Sequence, residues 1–544
     1  TKTIPLPESL KPMGDSRLAL DFKGSYNNFN SHIKLKSGIG DVETSIARVN
    51  EASGTNIFSG YIDADRVKAG TIANATKYVG DLDLDADFAI KFPQKGNPEL
   101  SLNGKATNVA LLGKNIDKIN LNGAMEQNLF QGIVRVDDND LGFDFNGMID
   151  FQNAKHPKSD FKAVIRDADL SALKLMKGDS ISKVSTTIYV DMTGFDIDNL
   201  EGTLRLDSTT YTDSRGSYYM RDFAASIVND NLLQKKIQLN SDYIDLEMAG
   251  QMDFTTMITA FQQYINSYAE IPQWRESLTA FEKSKKSSDQ DFIINLNVKD
   301  PKPFTQFISP DLFIAKNTSL TGTFTSRSRS LNCTLRTKAI RFNNIKINNV
   351  EVKSFNTPSS IITRLNLDQI VLRDSTELDS TMISIDNFAV INSIYRDSIQ
   401  TDLVWDDRDL DDHNKAFLST FFFPDLEGGA ITIRQADFLV NDTLWHLKKN
   451  GYIDFENGKV RFKDIELSAY QQQLSIDGSM PYTNEDTLAL TFNKFDLSTF
   501  DFLFKNKFDL DGFVYGNATI SDMRDNLSLA ANLDVLQLGF NGDS

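Results

Sequence analysis

One strand phrase recurs along this chain, and its spacing constrains the fold more than any other feature. The phrase is an apolar residue, a spacer, glycine, a spacer, Met or Ile, a spacer, and Phe or Tyr. It occurs at residues 145–151, 248–254 and 476–482, so its glycines lie 103 and then 228 residues apart, and half of 228 is 114. This period predicts an array of similar β-units, one of them degenerate. Such arrays build long continuous surfaces and seldom a single catalytic pocket.

Elements around the phrase also repeat. A polar exit of Asp, Leu and Ser follows alternating strands at residues 169–171 and 496–498. The Asp and Ser side chains of such an exit can bond nearby backbone N–H groups and begin a turn. A Leu-x-Gly start recurs at residues 200–202, 320–322 and 510–512. One glycine would mark only a bulge or bend in any β-protein, so the ordered co-occurrence of these elements is what predicts a repeat.

We expect one continuous β-segment over residues 1–544 instead of several globular domains, because no Pro/Gly/Ser-rich linker separates the repeats. Its ends interrupt the pattern, which we interpret as an internal part of a longer protein. The approximate repeat units are 1–110, 111–200, 201–310, 311–430 and 431–544.

Alternation of apolar and polar residues predicts half-buried antiparallel strands. The clearest case is residues 82–92, where Leu, Ala, Phe and Ile alternate with Asp and Lys; residues 143–151, 488–492 and 527–533 follow the same pattern. The chain has 38 Phe and only 3 Trp. Phe carries a large apolar area without a polar group, which favours a smooth apolar face. The predicted fold class is therefore all-β.

Two stretches break the β-pattern. Residues 255–287 carry apolar side chains at helical spacing and a proline at position 272, which predicts one broken or two short amphipathic helices inserted at a unit boundary. Such helices either cap their own β-core or serve as a lid or a surface for a membrane or partner. A further helix is expected over 411–422, where four apolar residues precede Pro424.

Composition excludes several function classes. The formal net charge is −18, and acidic residues are spread along the chain, which argues against nucleic acid or an anionic headgroup as the main partner. The single cysteine, Cys333, excludes an intramolecular disulfide framework and lies on an apolar strand face, where core packing is expected. No segment approaches the ~18 consecutive apolar residues of a membrane span.

The sequence offers no catalytic or metal-binding motif. The four histidines, His32, His156, His413 and His446, are too far apart for an i, i+4 zinc pair, and no phosphate-binding or nucleophile-elbow motif occurs. The acidic run at 406–413 lacks the Gly and closing Glu of an EF-hand loop, which favours a solvated loop over a Ca²⁺ site. We therefore expect no enzyme activity, catalytic residue, metal or cofactor.

Together the strand phrase, the Asp-Leu-Ser exits, the Leu-x-Gly starts and residues 445–453 (Trp-His-Leu-Lys-Lys-Asn-Gly-Tyr-Ile) resemble the TamB (translocation and assembly module subunit) family. This family belongs to the AsmA-like superfamily and is similar to bridge-like lipid-transfer proteins; the chain resembles the type found in Bacteroidota over nearly its whole length. The resemblance implies an elongated, repeat-built antiparallel sheet curled into a long apolar groove, a β-taco, that is wet outside and apolar inside.

The resemblance also implies a function. A groove of this kind spans the periplasm and shields phospholipid acyl chains during transport between inner and outer membrane, in outer-membrane biogenesis. Burial in such a groove stabilises an acyl chain by ~0.8 kcal/mol per CH₂. Expected partners are phospholipids, an outer-membrane barrel protein of the assembly module, and the inner membrane through an anchor outside this chain. The expected groove lining comprises Leu84, Phe88, Ile90, Phe92, Phe143, Phe145, Ile149, Phe151, Leu490 and Phe492.

Two other functions compete with this one. An assembly factor would help a barrel partner by adding strands at an exposed sheet edge, and then edge strands would matter more than groove polarity. A passive repeat-built spacer would have a filled, dry sandwich core. Any single one of the apolar residues named above is explained by ordinary core packing. A continuous apolar surface along the whole chain is what would distinguish a lipid groove.

Overall fold

The computed structural model confirms the all-β prediction. Its described residues form 32 β-strands and a few short helices. Two compact units divide the chain: Thr1–Asn229 with Lys236–Asp242, and Asp230–Lys235 with Tyr243–Ser544. The structure describes residues 13–72, 75–77, 79–111, 114–173, 175, 182–229, 234–283, 289–302, 305, 309, 311–373, 381–395, 397–406, 414–425, 428–440, 442–456, 459–480, 486–499, 510–522 and 527–540.

In unit 1, β1 to β13 pair antiparallel, each strand with the next in the chain. A single-turn helix, α1 (Ala69–Ile72), follows β4, and β14 joins this unit from its second residue onward. The strands are β1 (Arg17–Gly24), β2 (Phe29–Ser37), β3 (Gly40–Asn50), β4 (Asn56–Val67), β5 (Leu82–Phe92), β6 (Glu99–Leu111), β7 (Lys114–Glu126), β8 (Leu129–Asp138), β9 (Leu141–Asp150), β10 (Lys158–Asp169), β11 (Ser182–Thr193), β12 (Glu201–Asp213), β13 (Gly216–Asn229) and β14 (Lys235–Ser241).

In unit 2 the strands from β15 onward also pair antiparallel in chain order. Two ladder positions are each shared by two short strands: β17 and β18 both pair with β19, and β26 and β27 both pair with β25. The strands are β15 (Ile244–Gln251), β16 (Asp291–Val298), β17 (Leu312–Ile314), β18 (Thr318–Thr325), β19 (Ser330–Phe342), β20 (Ile345–Asn356), β21 (Ile361–Arg373), β22 (Thr381–Tyr395), β23 (Ser398–Asp406), β24 (Lys415–Phe423), β25 (Gly429–Val440), β26 (Thr443–Leu447), β27 (Gly451–Glu456), β28 (Lys459–Ala469), β29 (Gln472–Ser479), β30 (Thr487–Asp496), β31 (Leu510–Ser521) and β32 (Ser528–Phe540).

The glycines of the recurring phrase lie on β9, β15 and β29, and its last residues extend beyond each strand. With each shared ladder position counted once, β15 comes six strands after β9, and β29 comes twelve strands after β15. Six strands therefore correspond to one repeat, and the degenerate copy expected midway falls on β22. The expected boundaries of the five repeat units stay a prediction.

Glycine in this phrase is required by a close approach between strands. Gly147 pairs with Phe161 and Gly250 with Phe292. Both glycines have positive φ, and a Cβ on Gly250 would lie 2.0 Å from the backbone oxygen of Asp291. Any side chain there would clash with the backbone of the paired strand, and a non-glycine residue would also be strained at this positive φ.

The strand exits behave as the sequence predicts. Asp169 accepts hydrogen bonds from the backbone N–H groups of Ser171 (3.1 Å) and Ala172 (2.9 Å). Asp496 accepts the corresponding bond from Ser498, at 3.1 Å. These bonds end each strand in a turn because they satisfy N–H groups that have left the ladder.

The predicted helical insertion is confirmed in unit 2. It consists of α2 (Phe254–Asn266), a 3₁₀ turn (Pro272–Trp274) and α3 (Arg275–Lys283). The Asp253 side chain caps α2 by accepting from the Thr256 N–H. Residues 284–287 of the predicted insertion lie outside the described residues.

The helix expected over 411–422 is wrong. Residues 415–423 form strand β24, which pairs with β23 and β25; residues 411–413 lie outside the described part. The apolar cluster there divides between two faces instead of forming one helical stripe. Phe422 opposes Ile431, whereas the next ring, Phe421, is buried on the other face beneath the Arg434 guanidinium, 4.0 Å from its ring centre.

Candidate functional site

The expected lining residues of β5 and β9 lie on one face of unit 1. Residues directly opposed in antiparallel strands share a face, and a single row of opposed residues joins the two strands: Phe88, Leu102, Gly123, Gly132 and Gly147. Side chains two positions away share the face as well. We call this side the apolar face of unit 1, and the expected lining residues on it are Leu84, Phe88, Ile90 and Phe92 from β5, and Phe143, Phe145 and Ile149 from β9. Phe151 follows β9 directly and is 41% exposed.

The remaining two expected residues belong to unit 2. Leu490 of β30 opposes Ile476 and Ala518, and Phe492 opposes Leu474 and Gly516. These positions continue into both neighbouring strands as an apolar surface. We call that side the apolar face of unit 2.

The central rows of the apolar face of unit 1 are uncharged from β5 to β12. Two rows illustrate this: Phe88, Leu102, Gly123, Gly132, Gly147, Phe161, Val190 and Leu204 form one, and Ala86, Gly104, Leu121, Val134, Phe145, Ala163, Ile188 and Leu206 form the next. Arg48 of β3 does lie on this side, at a hairpin end, where its guanidinium donates to the Tyr26 carbonyl oxygen at 2.8 Å.

Most large side chains on this face are only half-buried. Of the expected lining residues, Phe145 is 8% exposed and counts as core, Phe92 and Phe151 are 43% and 41% exposed, and the others are half-buried. Side chains beneath a second packed layer would be buried almost completely. The face therefore retains apolar surface that neighbouring side chains do not cover.

Glycine and aromatic residues alternate on this face. Gly123, Gly132 and Gly147 are consecutive partners across β7, β8 and β9. Phenylalanine rings border the notch they leave: Phe145 lies between Phe130 and Phe161, with ring centres 6.0 and 5.1 Å away. The Phe130 ring covers part of the space over these glycines, since a Cβ on Gly123 would lie 3.0 Å from its Cε2 and a Cβ on Gly132 would lie 3.3 Å from its Cζ.

One edge of the apolar face of unit 1 is closed by a packed cluster. Val109, Ile116 and Val136 are almost fully buried, and Leu173, from the turn after β10, packs on them. The Asp-Leu-Ser exit supplies that turn. In unit 2 the leucine of the second exit, Leu497, packs on a cluster around Trp445.

The same edge carries β-bulges that the sequence analysis did not find. Non-glycine residues with positive φ interrupt four strands that run in the same direction in unit 1: Arg66 in β4, Asn108 in β6, Asp167 in β10 and Ser208 in β12. The pairing register shifts beside several of them. A bulge bends its strand and increases the local twist, so a row of bulges curls the sheet towards one face.

Aspartates stabilise these bulges. Asp83 accepts from the Arg66 backbone N–H and from the Asn108 side chain, each at 2.7 Å. These bonds hold the pKa of the Asp83 carboxyl below its usual value of 3.8. Similarly, Asp242 accepts from the Arg221 N–H at 2.5 Å. Asp or Asn near a strand end is the sequence signal that could have indicated these positions.

The helical insertion borders the apolar face of unit 2. Phe261 of α2 stacks on Phe324 of β18, with ring centres 4.3 Å apart, and Tyr264 meets the same ring edge-on at 5.3 Å. Beyond α2 the segment follows successive hairpin ends. The Tyr268 hydroxyl donates to the Thr357 carbonyl, and the Glu270 N–H donates to the Asp397 carboxylate at 2.9 Å. The insertion thus contacts its own sheet, as the first of the two sequence interpretations has it.

The opposite face of each unit is charged and paired. In unit 1, Asp144 accepts from Arg166 and from Arg135, and the bond from Arg166 contributes most to a lowered pKa of its carboxyl. In unit 2, Glu351 accepts from Arg336 and Lys353, each at 2.7 Å, and its pKa is lowered as well. Such exposed pairs add little stability, but they keep this face in water.

A hydrogen-bonded series on the polar face of unit 1 has the residue types of a hydrolase site. Ser45 Oγ lies 3.1 Å from His32 Nδ1, and His32 Nε2 lies 3.0 Å from Glu43. His32 and Ser45 border an open depression of about 800 Å³, which is also lined by Tyr61 and Asp87. Ser45 is exposed and sits in the middle of a strand that is paired on both sides. Its backbone N–H is used by the ladder, so no oxyanion hole forms there.

The other candidates also offer no chemistry. Burial raises the pKa of the Cys333 thiol, which opposes Gly322 and Ser354 on the apolar face of unit 2; a raised pKa disfavours the reactive thiolate. Among the described residues, no three His, Cys, Asp or Glu side chains are placed to hold a metal ion. His413 and most of the acidic run at 406–413 lie outside that part of the chain. None of the described helices has the length and apolar character needed to cross a bilayer.

Neither a protein-family model nor a curated protein matches this chain. The resemblance to the TamB family therefore rests on the residues named above and stays a prediction.

Proposed function

We propose that this chain binds the acyl chains of phospholipids along its apolar faces, as part of a conduit that spans the periplasm between the inner and outer membrane. The observation that carries this proposal is an uncharged surface of half-buried Phe, Leu and Ile side chains running across many consecutive strands. For example, Phe88 of β5 and Leu102 of β6 are directly opposed and both half-buried, so the apolar surface continues from one strand to the next.

Acyl chains suit this surface physically. Each methylene moved from water to an apolar surface gains up to ~0.8 kcal/mol, and a surface that repeats at the ~4.8 Å spacing of strands gives no position a strong preference. A lipid could therefore move along it without a large barrier. The rings of Phe130 and Phe145, with centres 6.0 Å apart, form part of this apolar surface.

The charges fit a ligand whose headgroup stays in water. Acidic and basic residues lie in pairs on the opposite face, as in Arg135 with Asp144. A site that held a phosphate headgroup would need a basic cluster on the binding side. The proposed contact is thus with the acyl part of the lipid, and the phosphate headgroup stays in water.

Photocrosslinking from neighbouring residues on opposite faces tests this proposal. A photoreactive amino acid at Phe88 should crosslink to phospholipid in cells that produce the protein, because this side chain lies on the apolar face. The same amino acid at Asp87, on the polar face, is the matched control and should give little lipid adduct. Equal labelling at the two positions, or none at Phe88, would contradict acyl-chain binding.

A further inference from the structure

A row of uncharged polar residues crosses the apolar face of unit 2. The row runs through six consecutive strands, β19 to β24, in direct register: Cys333, Ser354, Thr363, Asn392, Thr401 and Thr420. Adjacent strands lie ~4.8 Å apart, so the row extends for roughly 24 Å across the strands. We call it the polar row.

Apolar side chains flank the polar row on both sides. Each flanking row lies two residues along the strands, about 7 Å away. One flank consists of Leu335, Val352, Leu365, Val390, Leu403 and Leu418. The other includes Ile361, Ile394, Ile399 and Phe422, with Asn356 opposite Ile361 as its polar member. None of these positions is charged, and apart from Asn356 they are apolar.

Members of the polar row bond to one another. Ser354 Oγ and Thr363 Oγ1 are 3.0 Å apart, and the Thr401 hydroxyl donates to Asn392 Oδ1 at 2.7 Å. Thr420 donates to the Thr401 backbone oxygen at 3.4 Å. These hydrogen bonds hold the side chains of the polar row in place. All six residues are half-buried, so a ligand can still reach them.

Asn392 leaves donors unused. Its side chain has two N–H donors and one acceptor oxygen, and its one hydrogen bond to the described residues is the one from Thr401. In either orientation of the amide, at least one N–H has no acceptor among those residues. That donor lies on the apolar face, between Val390 and Ile394.

The register relates Asn392 to another copy of the repeat. Asn392 lies on β22, the strand that corresponds by strand count to β15 and β29, which carry the glycine phrase. Direct partners lead from Met248, the first apolar residue of the phrase on β15, across the sheet to Asn392. The degenerate copy of the repeat thus has an amide in the row where β15 has an apolar side chain.

We propose that the polar row binds the ester carbonyls of diacyl lipids whose acyl chains lie on the two flanking apolar rows; this rests on the acyl-chain binding proposed above. An ester carbonyl is uncharged and accepts hydrogen bonds without donating any, which complements unused N–H and O–H donors on an uncharged surface. A phosphate would require a cation here, and a free alkyl chain would leave the donors unpaired. The polar row therefore distinguishes ester-linked lipids from their ether analogues.

Competition binding with matched lipids tests this inference. Short-chain diacyl phosphatidylcholine and its dialkyl ether analogue of equal chain length would each compete with a pyrene-labelled phosphatidylcholine for the purified chain. The unmodified chain should bind the ester about tenfold more tightly, which corresponds to one or two net hydrogen bonds. In a variant with Ser354→Ala and Thr363→Val and Asn392→Leu, which removes the unused O–H and N–H donors, the ratio should fall to near one while the ether analogue binds as before.

A matched control lies on the other face. Thr321 and Thr334 are directly opposed threonines of β18 and β19 on the polar side of unit 2, and Thr321→Val with Thr334→Val should leave the ester preference unchanged. Asn392→Leu alone should reduce the preference if the triple variant does not fold. An unmodified chain with no ester preference, or a variant that keeps it, would overturn this inference. Failure of both lipids to bind would instead contradict the proposed acyl-chain function.

Discussion

The most direct perturbation of the apolar face is a pair of charges on two adjacent strands. Phe88 and Leu102 are directly opposed and half-buried on the apolar face of unit 1. Replacing both by Asp places two carboxylates where an acyl chain would lie. The same strands offer a matched control on the polar face, since Ala89 and Ser101 are also directly opposed.

The size of the effect follows from the exposure of these residues. Full burial of a Phe or Leu side chain is worth about 1.5–3 kcal/mol, so the half still exposed offers an acyl chain about 1 kcal/mol per residue. Removing both costs about 2 kcal/mol, and burying carboxylates against hydrocarbon costs more. At 1.4 kcal/mol per tenfold, acyl-chain affinity should fall by at least about 30-fold.

Titration with a pyrene-labelled phosphatidylcholine would measure this affinity. Circular dichroism melting should confirm that Phe88→Asp with Leu102→Asp stays folded, because most of the ladder around the pair is backbone bonding. The control, Ala89→Asp with Ser101→Asp, carries the same charges and should bind the probe like the unmodified chain. If both double variants bind with unchanged affinity, acyl chains do not use this face and the reasoning is refuted.

Three further outcomes are expected from urea or pH unfolding of single variants. Gly250→Ala should lower the free energy of unfolding by about 2 kcal/mol or more, since its Cβ would meet the backbone of β16; Gly216→Ala, with positive φ but nothing within 4 Å, should cost less, and equal losses would refute the close-approach argument. Asp83→Ala should cost about 1–3 kcal/mol because two donors at the bulges lose a charged acceptor; Asp87→Ala is the control on the same strand, and an equal, small change in both would contradict bulge stabilisation. The pKa of the Asp144 carboxyl is lowered in the folded protein, so its contribution to stability is present above its usual pKa of 3.8 and is lost as the pH falls through the lower folded value. Asp144→Asn should therefore reduce the loss of unfolding free energy on acidification; an unchanged pH–stability curve would exclude a stabilising role of the Asp144 ion pairs.

The fold class, the strand faces and the strand exits could be predicted because each depends on local chemistry. Alternation places Leu84 and Phe88 on one side of a strand whatever its neighbours are. Asp169 bonds the N–H groups two and three residues on, which needs no tertiary information. The glycine of the phrase signalled the close approach of strands, as at Gly250.

What the sequence could not provide was the register between strands. The polar row is visible only once Thr363, Asn392 and Thr401 are known to be partners, because each is a single polar residue in its own strand. The helix expected over 411–422 failed for a related reason. Phe417, Leu418, Phe421 and Phe422 fit one side of a helix, but pairing to β23 and β25 overrides that local pattern.

The bulges were missed because positive φ at residues such as Asn108 leaves the alternation on either side intact. A bulge shifts the register by one residue, and the apolar pattern resumes beyond it. Single-strand patterns therefore predict which residues are apolar but not how the sheet curls.

The central claim is that the apolar faces bind acyl chains, and native mass spectrometry with lipid extraction of the purified 544-residue chain tests it most directly. The account predicts several phospholipids bound per chain and released on denaturation. A stable, lipid-free monomer that takes up no phospholipid when it is offered would contradict it.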